Sequence, residues 1–331
     1  VTHRPGLDPS VAEVRRAVRR ALEPLGHGST VVVGLSGGAD SLALAAATVF
    51  EGRKLGLRVV AATVDHGLQP GSADAAATAA RAATALGAEA RIVTVDVGTD
   101  GGPEAAAREA RYAALIGVAR DAGAAAILVG HTLDDQAETV LLGLARGAGG
   151  ASLQGMAPAS DLDGIALLRP LLGVRRVTTR ASCAAEDLRP WDDPQNVDPR
   201  FARVRVRERV LPALEAELGP GIAEALARTA EQLREDGEAF AEMIDETIED
   251  IVEHAEAGIS VSVPALAANP PALRHRIIRH VVASEFHQSL TRAQTLEVAR
   301  LVTDWAGQGP IDLPGCRAHR SGSLIVFTGT L

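Results

Sequence analysis

Hydrophobic residues run unbroken through Val31-Val32-Val33, stop at Gly34-Leu35-Ser36-Gly37-Gly38, and resume from Leu42 to Phe50 in a pattern that suits a helix. A short β-branched run without polar alternation marks a strand covered on both faces, as in a parallel sheet. The same order recurs further along. Strands are expected at Arg58 to Val64, Arg91 to Val97 and Ile127 to Gly130, and helices at Ser72 to Leu86, Glu104 to Asp121 and His131 to Arg146. Pro103 suits the first turn of the second of these helices, where a missing N–H costs nothing. Ahead of them, Ser10 to about Leu25 puts Val11, Val14, Val18 and Leu22 on one face among Arg15, Arg16, Arg19 and Arg20, an amphipathic opening helix. Strand and helix alternate four times, which predicts an α/β fold with a doubly wound parallel sheet.

After Pro212 the pattern changes. Gly219-Pro220-Gly221 punctuates the chain, and Ile222 to about Ala257 predicts a long helix with Leu226, Leu233, Phe240, Ile244, Ile248 and Ile251 on its apolar face. Acidic residues crowd the opposite face, as on a solvated spacer. Ile259 to Val263 alternates like a short strand, Pro271 to Phe286 and Thr291 to Trp305 fit two helices, and Ile311 to Leu313 is expected to pair with Ser323 to Phe327 in a terminal hairpin. The organisation expected is a domain over 1–215 and a second over 216–331.

Composition narrows the classes of function. With 331 residues, 47% of them hydrophobic, the chain can bury two cores. Aromatic residues make up 2%, which argues against a binding surface built on stacked rings. A net charge of −9 disfavours non-specific nucleic-acid binding by the whole surface, yet admits a local basic patch. Arg169 to Arg209 is such a patch in sequence, where arginines outnumber acids; it suits phosphate contacts, with surface filler in a chain whose single lysine is Lys54 as the lesser alternative. Cys183 and Cys316 stand alone, so no disulfide framework or thiolate metal site is expected. Neither a signal peptide nor an apolar run of membrane-spanning length is visible, which leaves a cytoplasmic protein away from membranes as the expectation.

In doubly wound sheets, ligands sit beyond the carboxyl ends of the strands. The candidate site therefore comprises Ser36, Gly37, Gly38, Ala39, Asp40 and Ser41, then Asp65 and His66, then His131 to Glu138. Glycines at a helix start let backbone N–H groups face an anion, so the first group reads as a phosphate cradle. A Walker loop is excluded because no Gly-Lys-Ser/Thr follows, and the turn lacks the G-x-G-x-x-G dinucleotide fingerprint. Asp134 and Glu138 are four apart and share a helix face, with Asp135 a little further round. Carboxylates near a phosphate turn can hold Mg²⁺, or Asp134 and Asp135 can simply favour the helix dipole; spacing leaves both open.

Ser36-Gly37-Gly38-Ala39-Asp40-Ser41 resembles the pyrophosphate loop of the N-type ATP pyrophosphatases, the PP-loop superfamily. Within that group, Val64-Asp65-His66-Gly67-Leu68, Glu104 to Tyr112, Gly130 to Thr139, Arg169-Pro170-Leu171-Leu172, and Trp191-Asp192-Asp193-Pro194-Gln195-Asn196 leading to Arg203, Arg207 and Leu211-Pro212 resemble the motifs of tRNA(Ile)-lysidine synthetases. Pro194 and Gln195 stand where that pattern has Asp and Ser, and Val204 where Asn is usual. The resemblance implies a five-stranded parallel sheet of the adenine nucleotide alpha hydrolase-like type and a smaller, mainly helical C-terminal domain. It implies that ATP adenylates the wobble cytidine of tRNA(Ile) with a CAU anticodon, and that L-lysine then displaces AMP. ATP would lie on Ser36 to Ser41 with Asp65 and His66, and Mg²⁺ on Asp40 and Asp135. Arg111 and His131 would stabilise charge on the phosphate, while Asp134 or Glu138 would receive the lysine amine. Arg203, Arg205, Arg207 and Arg209 would meet tRNA.

Many such synthetases carry a further C-terminal domain, and this sequence ends before one would fit; Arg274, His275, Arg276, Arg279 and His280 then offer a second tRNA patch, or merely solubility. The alternatives are another adenylating tRNA-modifying enzyme of the superfamily, or a non-catalytic adenine-nucleotide-binding module. A thiolase would call for a cysteine cluster, and the joint presence of Asp40, Asp134, Asp135 and Glu138 weighs against the module. The oligomeric state is not specified, and a homodimer is admitted.

Overall fold

The computed structural model describes residues 6–67, 71–98, 102–147, 149–191, 193–255 and 258–330, and the chain divides into two compact units between Arg234 and Glu235. In the first, β1 (Thr30–Gly34), β2 (Arg58–Asp65), β3 (Glu89–Thr94), β4 (Ala124–Leu128), β5 (Ala159–Leu162) and β6 (Ile165–Leu168) form a sheet in the order β3-β2-β1-β4-β6-β5. Five of the strands are parallel, as expected; β5 adds a sixth, antiparallel strand at the edge. It is joined to β6 by Asp163-Gly164, both with left-handed φ, the geometry of a tight hairpin turn.

Helices α1 (Pro9–Leu22), α2 (Ala39–Leu55), α3 (Ser72–Leu86), α4 (Pro103–Ala122) and α5 (Leu133–Ala145) alternate with these strands, followed by the single turn α6 (Gly150–Leu153) and by α7 (Arg176–Ala185). The unbroken run in β1 has its explanation in the two layers. Val31 and Val33 pack with Val14, Val18, Leu42 and Ala83 of α1, α2 and α3 on one face, while Val32 meets Leu115 and Val118 of α4 on the other. The opening helix buries Val11, Val14, Val18 and Leu22 as its spacing predicts, with Asp8 as cap accepting from the Ser10 N–H at 2.8 Å.

Beyond α7 the chain forms α8 (Ala202–Arg205), a π turn (Val206–Val210), α9 (Leu211–Leu218) and α10 (Ile222–Ile251), within which the division between units falls. Val206, Leu211 and Ala223 are buried against Leu133 and Ala137 of α5, which fixes this run beside the fourth strand's exit.

The second unit holds β7 (Val252–Ala255), β8 (Gly258–Ser262), α11 (Val263–Ala268), α12 (Pro271–Phe286), α13 (Arg292–Thr303), β9 (Ile311–Leu313), β10 (Cys316–Ser321) and β11 (Leu324–Gly329). Its antiparallel sheet, in the order β7-β8-β11-β10-β9, shares a core with the helices through Ile259, Val261, Ile277, Val281, Leu301 and Phe327. Two expectations are corrected here. The long helix ends at Ile251 rather than near Ala257, because Val252–Ala255 finds a ladder partner in β8, and pairing overrides local helix preference. Ile311–Leu313 does not pair with β11: Cys316–Ser321 lies between them, its buried Cys316 and Ala318 alternating with Arg317 and His319. Leu68, Asp192 and the side chains of Glu104, Pro194 and Gln195 lie outside the described residues. No helix among the described residues is long and apolar enough to cross a membrane.

Candidate active site

The strand β1 delivers the chain into Ser36-Gly37-Gly38, where Gly37 at φ +86° makes the turn and Gly38 caps α2 without a side chain. The first N–H groups of α2 thus keep the free, anion-seeking character of a helix start. Ser41 braces the loop from inside: its Oγ accepts from the Ser36 N–H at 3.2 Å and donates to the Gly38 carbonyl at 2.9 Å. A second brace comes from Trp191, whose N–H donates to the Gly37 carbonyl at 2.9 Å. Opposite, Gly130 follows β4. A methyl group there would lie 3.1 Å from the carbonyl carbon and oxygen of Asp40, so the exit of β4 touches the first turn of α2 backbone to backbone.

Behind Gly130, α5 begins with a capping box: the Asp135 carboxylate accepts from both the N–H and the hydroxyl of Thr132, each at 2.8 Å. Asp134 accepts at 2.7 Å from the N–H of Arg176, the first residue of α7, and so caps that helix in turn. Glu138, one turn on, is completely buried.

What gathers these acids is Arg176. Its Nε lies 3.4 Å from Asp40, its Nη2 2.9 Å from Asp135 and its Nη1 3.2 Å from Glu138. Burial works against the charge of Arg176, but Asp135, Glu138 and Asp40 outweigh it and hold its pKa above the ordinary value. For Asp135, burial favours the neutral form, yet Arg176 and the Thr132 N–H prevail and keep it a carboxylate. For Asp40 burial wins and its pKa rises, although Thr179 donates a hydrogen bond to it and Arg176 stands nearby. Arg207 completes the cluster, with Nε 2.7 Å and Nη2 3.0 Å from Glu138, while Arg203 donates to the Thr139 hydroxyl at 3.1 Å.

The other side of the α5 start is basic: Arg108 and Arg111 lie against the Tyr112 ring, and Arg169 donates to the Ala157 carbonyl at 2.8 Å. Burial pushes His131 down to about 4, with Arg108, Arg111 and Arg169 adding to the shift against the pull of Asp135. Its Nδ1 is buried without a hydrogen-bond partner among the described residues, and so is the Nδ1 of His66. Burial, then Arg111, lowers His66 as well. Arg111 has no hydrogen-bonding or ion-pair partner among the described residues; burial lowers its pKa, and Arg108 and Arg203 add repulsion. Such a cluster suits an anion that would pair the guanidinium and the imidazoles together.

The structure thus brings Ser36 to Ser41, Arg111, His131, Asp134, Asp135 and Glu138 to one end of the sheet. Asp65 instead holds its own turn, accepting from the Gly67 N–H at 3.0 Å. Of the four arginines expected to meet tRNA, Arg205 and Arg209 are exposed, whereas Arg203 and Arg207 turn inward toward Thr139 and Glu138. Sequence reasoning missed the role of Arg176, which it counted among the basic excess, and missed Thr179 altogether. Their partners are 38 to 139 residues away, so no spacing rule could have found them.

Residues 11–214 match the model of the PP-loop domain, and residues 262–323 that of the TilS substrate binding domain. The chain is 59% identical to a tRNA(Ile)-lysidine synthase of Leifsonia xyli, over 92% of this chain and 91% of the relative. It is 48% identical to the tRNA(Ile)-lysidine synthase of Thermobifida fusca over 97% and 98%. Among solved structures, the U34-tRNA thiolase NcsA of Methanococcus maripaludis with its [4Fe-4S] cluster superposes with a TM-score of 0.58, covering 68% of this chain and 79% of that one. At 23% identity, this last likeness is one of fold alone.

Proposed function

The chain belongs to the tRNA(Ile)-lysidine synthase family, built on an ATP-binding PP-loop domain, and on that premise we propose that it joins the side-chain amine of L-lysine to C2 of the wobble cytidine of tRNA(Ile) with a CAU anticodon. The observation that carries this reading is the meeting, at one end of the sheet, of a lysine-free phosphate loop with an acidic cluster and a basic wall whose two imidazoles keep nitrogens without a partner among the described residues. In the first step the C2 oxygen of the cytosine attacks the α-phosphorus of ATP, and pyrophosphate leaves. In the second, the neutral lysine amine attacks C2, the C2–O bond breaks, AMP departs with that oxygen, and the surplus proton of the amine passes to a carboxylate.

The residues divide this labour by charge. The Ser36–Ser41 loop and the α2 start bind the pyrophosphate portion, and Arg111 with neutral His131 offers donors to the α-phosphate as its charge grows. Asp134 is the better placed of the two candidates for the lysine ammonium, because its side chain is 18% exposed while that of Glu138 is 0% exposed and held by Arg176 and Arg207. Asp40 and Asp135 converge on one point, the Arg176 guanidinium, at 3.4 and 2.9 Å. These two hard oxygen donors beside the phosphate loop would hold Mg²⁺ in exchange for Arg176, and the ion would supply neutralisation of the leaving pyrophosphate. Exposed Arg205 and Arg209 are the contacts for tRNA phosphates.

Catalysis is assigned to residues 1–215, and help with tRNA binding to 216–331, which contains the match to a substrate-binding domain. The reading places the enzyme in the cytoplasm with tRNA, and allows a homodimer, which light scattering would register. The deciding assay combines the protein, ATP, Mg²⁺, L-lysine and a tRNA(Ile) transcript with a CAU anticodon. Expected are AMP release and a tRNA heavier by one lysine, with no gain on a methionine transcript bearing the same anticodon. If neither transcript gains mass with lysine, only a generic adenylating activity survives.

A further inference from the structure

Five Phe, two Trp and one Tyr are the aromatic residues of the whole chain, and only Phe50, Trp191 and Trp305 among them are large exposed side chains. Two of the three are covered by cations. Phe50 lies 3.6 Å from the Arg15 guanidinium and 4.1 Å from the Lys54 ammonium, and Trp305 lies 5.3 Å from Arg320. Trp191 has no cation and no ring on its face among the described residues. Its place is specific: its N–H holds the Gly37 carbonyl at 2.9 Å, and its Cβ would lie 3.7 Å from a methyl group at Gly37. At 36% exposure, a bare indole therefore stands at the rim of the phosphate loop. The backbone bond alone would brace the loop, so the bracing does not account for an exposed indole there.

We propose that Trp191 is a stacking platform for a nucleobase entering beside the phosphate loop, an inference that rests on the reading of the chain as an ATP-using enzyme of tRNA. Every base has a π face, so an indole accepts one without sequence preference. Two substrates of the reaction carry bases: ATP brings adenine, and the anticodon loop brings bases that must leave their stack to reach an active site. Because the Trp191 backbone is bonded to Gly37, a base held on the indole is held in fixed register with the phosphates.

The Trp305→Phe protein, whose substitution lies in the second unit, leaves Trp191 as the only tryptophan, so its emission reports on this ring alone. It is titrated with ATP without tRNA, with the tRNA(Ile) transcript without ATP, and with L-lysine as control. Saturable quenching is expected in at least one of the first two titrations and none with lysine; the titration that quenches identifies adenine or an anticodon base as the partner. In the parent background, Trp191→Ala should weaken binding of that same ligand about 5- to 140-fold, the range for losing one base–aromatic stack. Trp191→Phe should restore most of it, which separates stacking from a general collapse of the loop. Silent emission in both titrations, or Ala and Phe variants that bind as the parent does, overturns the proposal. Lysidine formation by the Trp305→Phe protein is measured alongside. Turnover with a silent Trp191 defeats the stacking alone, and quenching without turnover defeats the reaction assigned above alone.

Discussion

The two sides of the α5 start differ in how far they satisfy themselves. On the acidic side, Asp40, Asp135 and Glu138 all face Arg176, and Glu138 has Arg207 besides. On the basic side, His66 and His131 keep buried nitrogens with no hydrogen-bond partner among the described residues, and Arg111 has the Tyr112 ring beside it but no carboxylate. A buried charge that is paired is part of the scaffold, and removing its partner damages the fold. A buried charge left unpaired costs the fold something, and is repaid only when a ligand arrives. The difference makes Glu138 a support and leaves Arg111 and the two imidazoles to a ligand, while Asp40 and Asp135, which face both Arg176 and the phosphate loop, stand between the two groups.

The sharpest way to break the comparison is at Arg111. Arg111→Ala should lower turnover by about 10²- to 10³-fold, as for loss of a group that stabilises transition-state charge. The urea midpoint should stay equal or rise, because Arg108 and Arg203 lose a like-charged neighbour. A clear fall in that midpoint would mean that Arg111 is a support after all. Glu138→Gln should behave in the opposite way. It takes the nearest carboxylate from Arg207 and one of three from Arg176, at a cost in unfolding free energy of about 3 kcal/mol, the low end for a broken buried pair since the two arginines are 23% and 17% exposed and both keep Asp135. An unchanged urea midpoint would show that the acidic cluster is not what holds α5, α7 and the π turn together.

The third expectation concerns pH. His131 is held neutral by burial, with a folded pKa of about 4 against about 6.5 when unfolded. Between these values the unfolded chain binds the extra proton, so this contribution to stability is lost as pH falls through the window and is constant above it. At pH 5.5 the His131→Asn protein should be less penalised than the parent by about 1.4 kcal/mol. The two should run parallel above pH 7, and thermal unfolding across pH 4 to 8 measures both. Parallel curves throughout would mean that the imidazole keeps its solution pKa, and that the basic side is wetter than its unpartnered nitrogens imply.

Much of this arrangement was open to reading from the chain, for reasons that differ by residue. Val31 to Val33, the glycine turn and the carboxylates of α5 follow local rules: continuous apolarity for a doubly covered strand, glycine for a left-handed turn, acids at a helix start. The valines of α1 follow helical spacing in the same way. Arg176 follows none, since its guanidinium meets acids from two other stretches of chain, the start of α2 and the first turns of α5, and only the closed fold brings them together. The strand β10 escaped because its Arg317 and His319 look like loop residues until Cys316 and Ala318 are seen in the core. The edge hairpin was available in principle through Asp163-Gly164, a strong short-range turn signal.

The π turn at Val206–Val210 has a consequence for the length of the chain. Such a turn holds one residue more than an α-helical turn, so it acts as a phase shift between α8 on one side and α9 on the other. Deleting any one residue there would restore a regular helix and rotate one side against the other by about 100°. Arg207 could then keep its hold on Glu138, or Leu211 its seat against Leu133, but not both. At this point the chain tolerates a change of letter far better than a change of count.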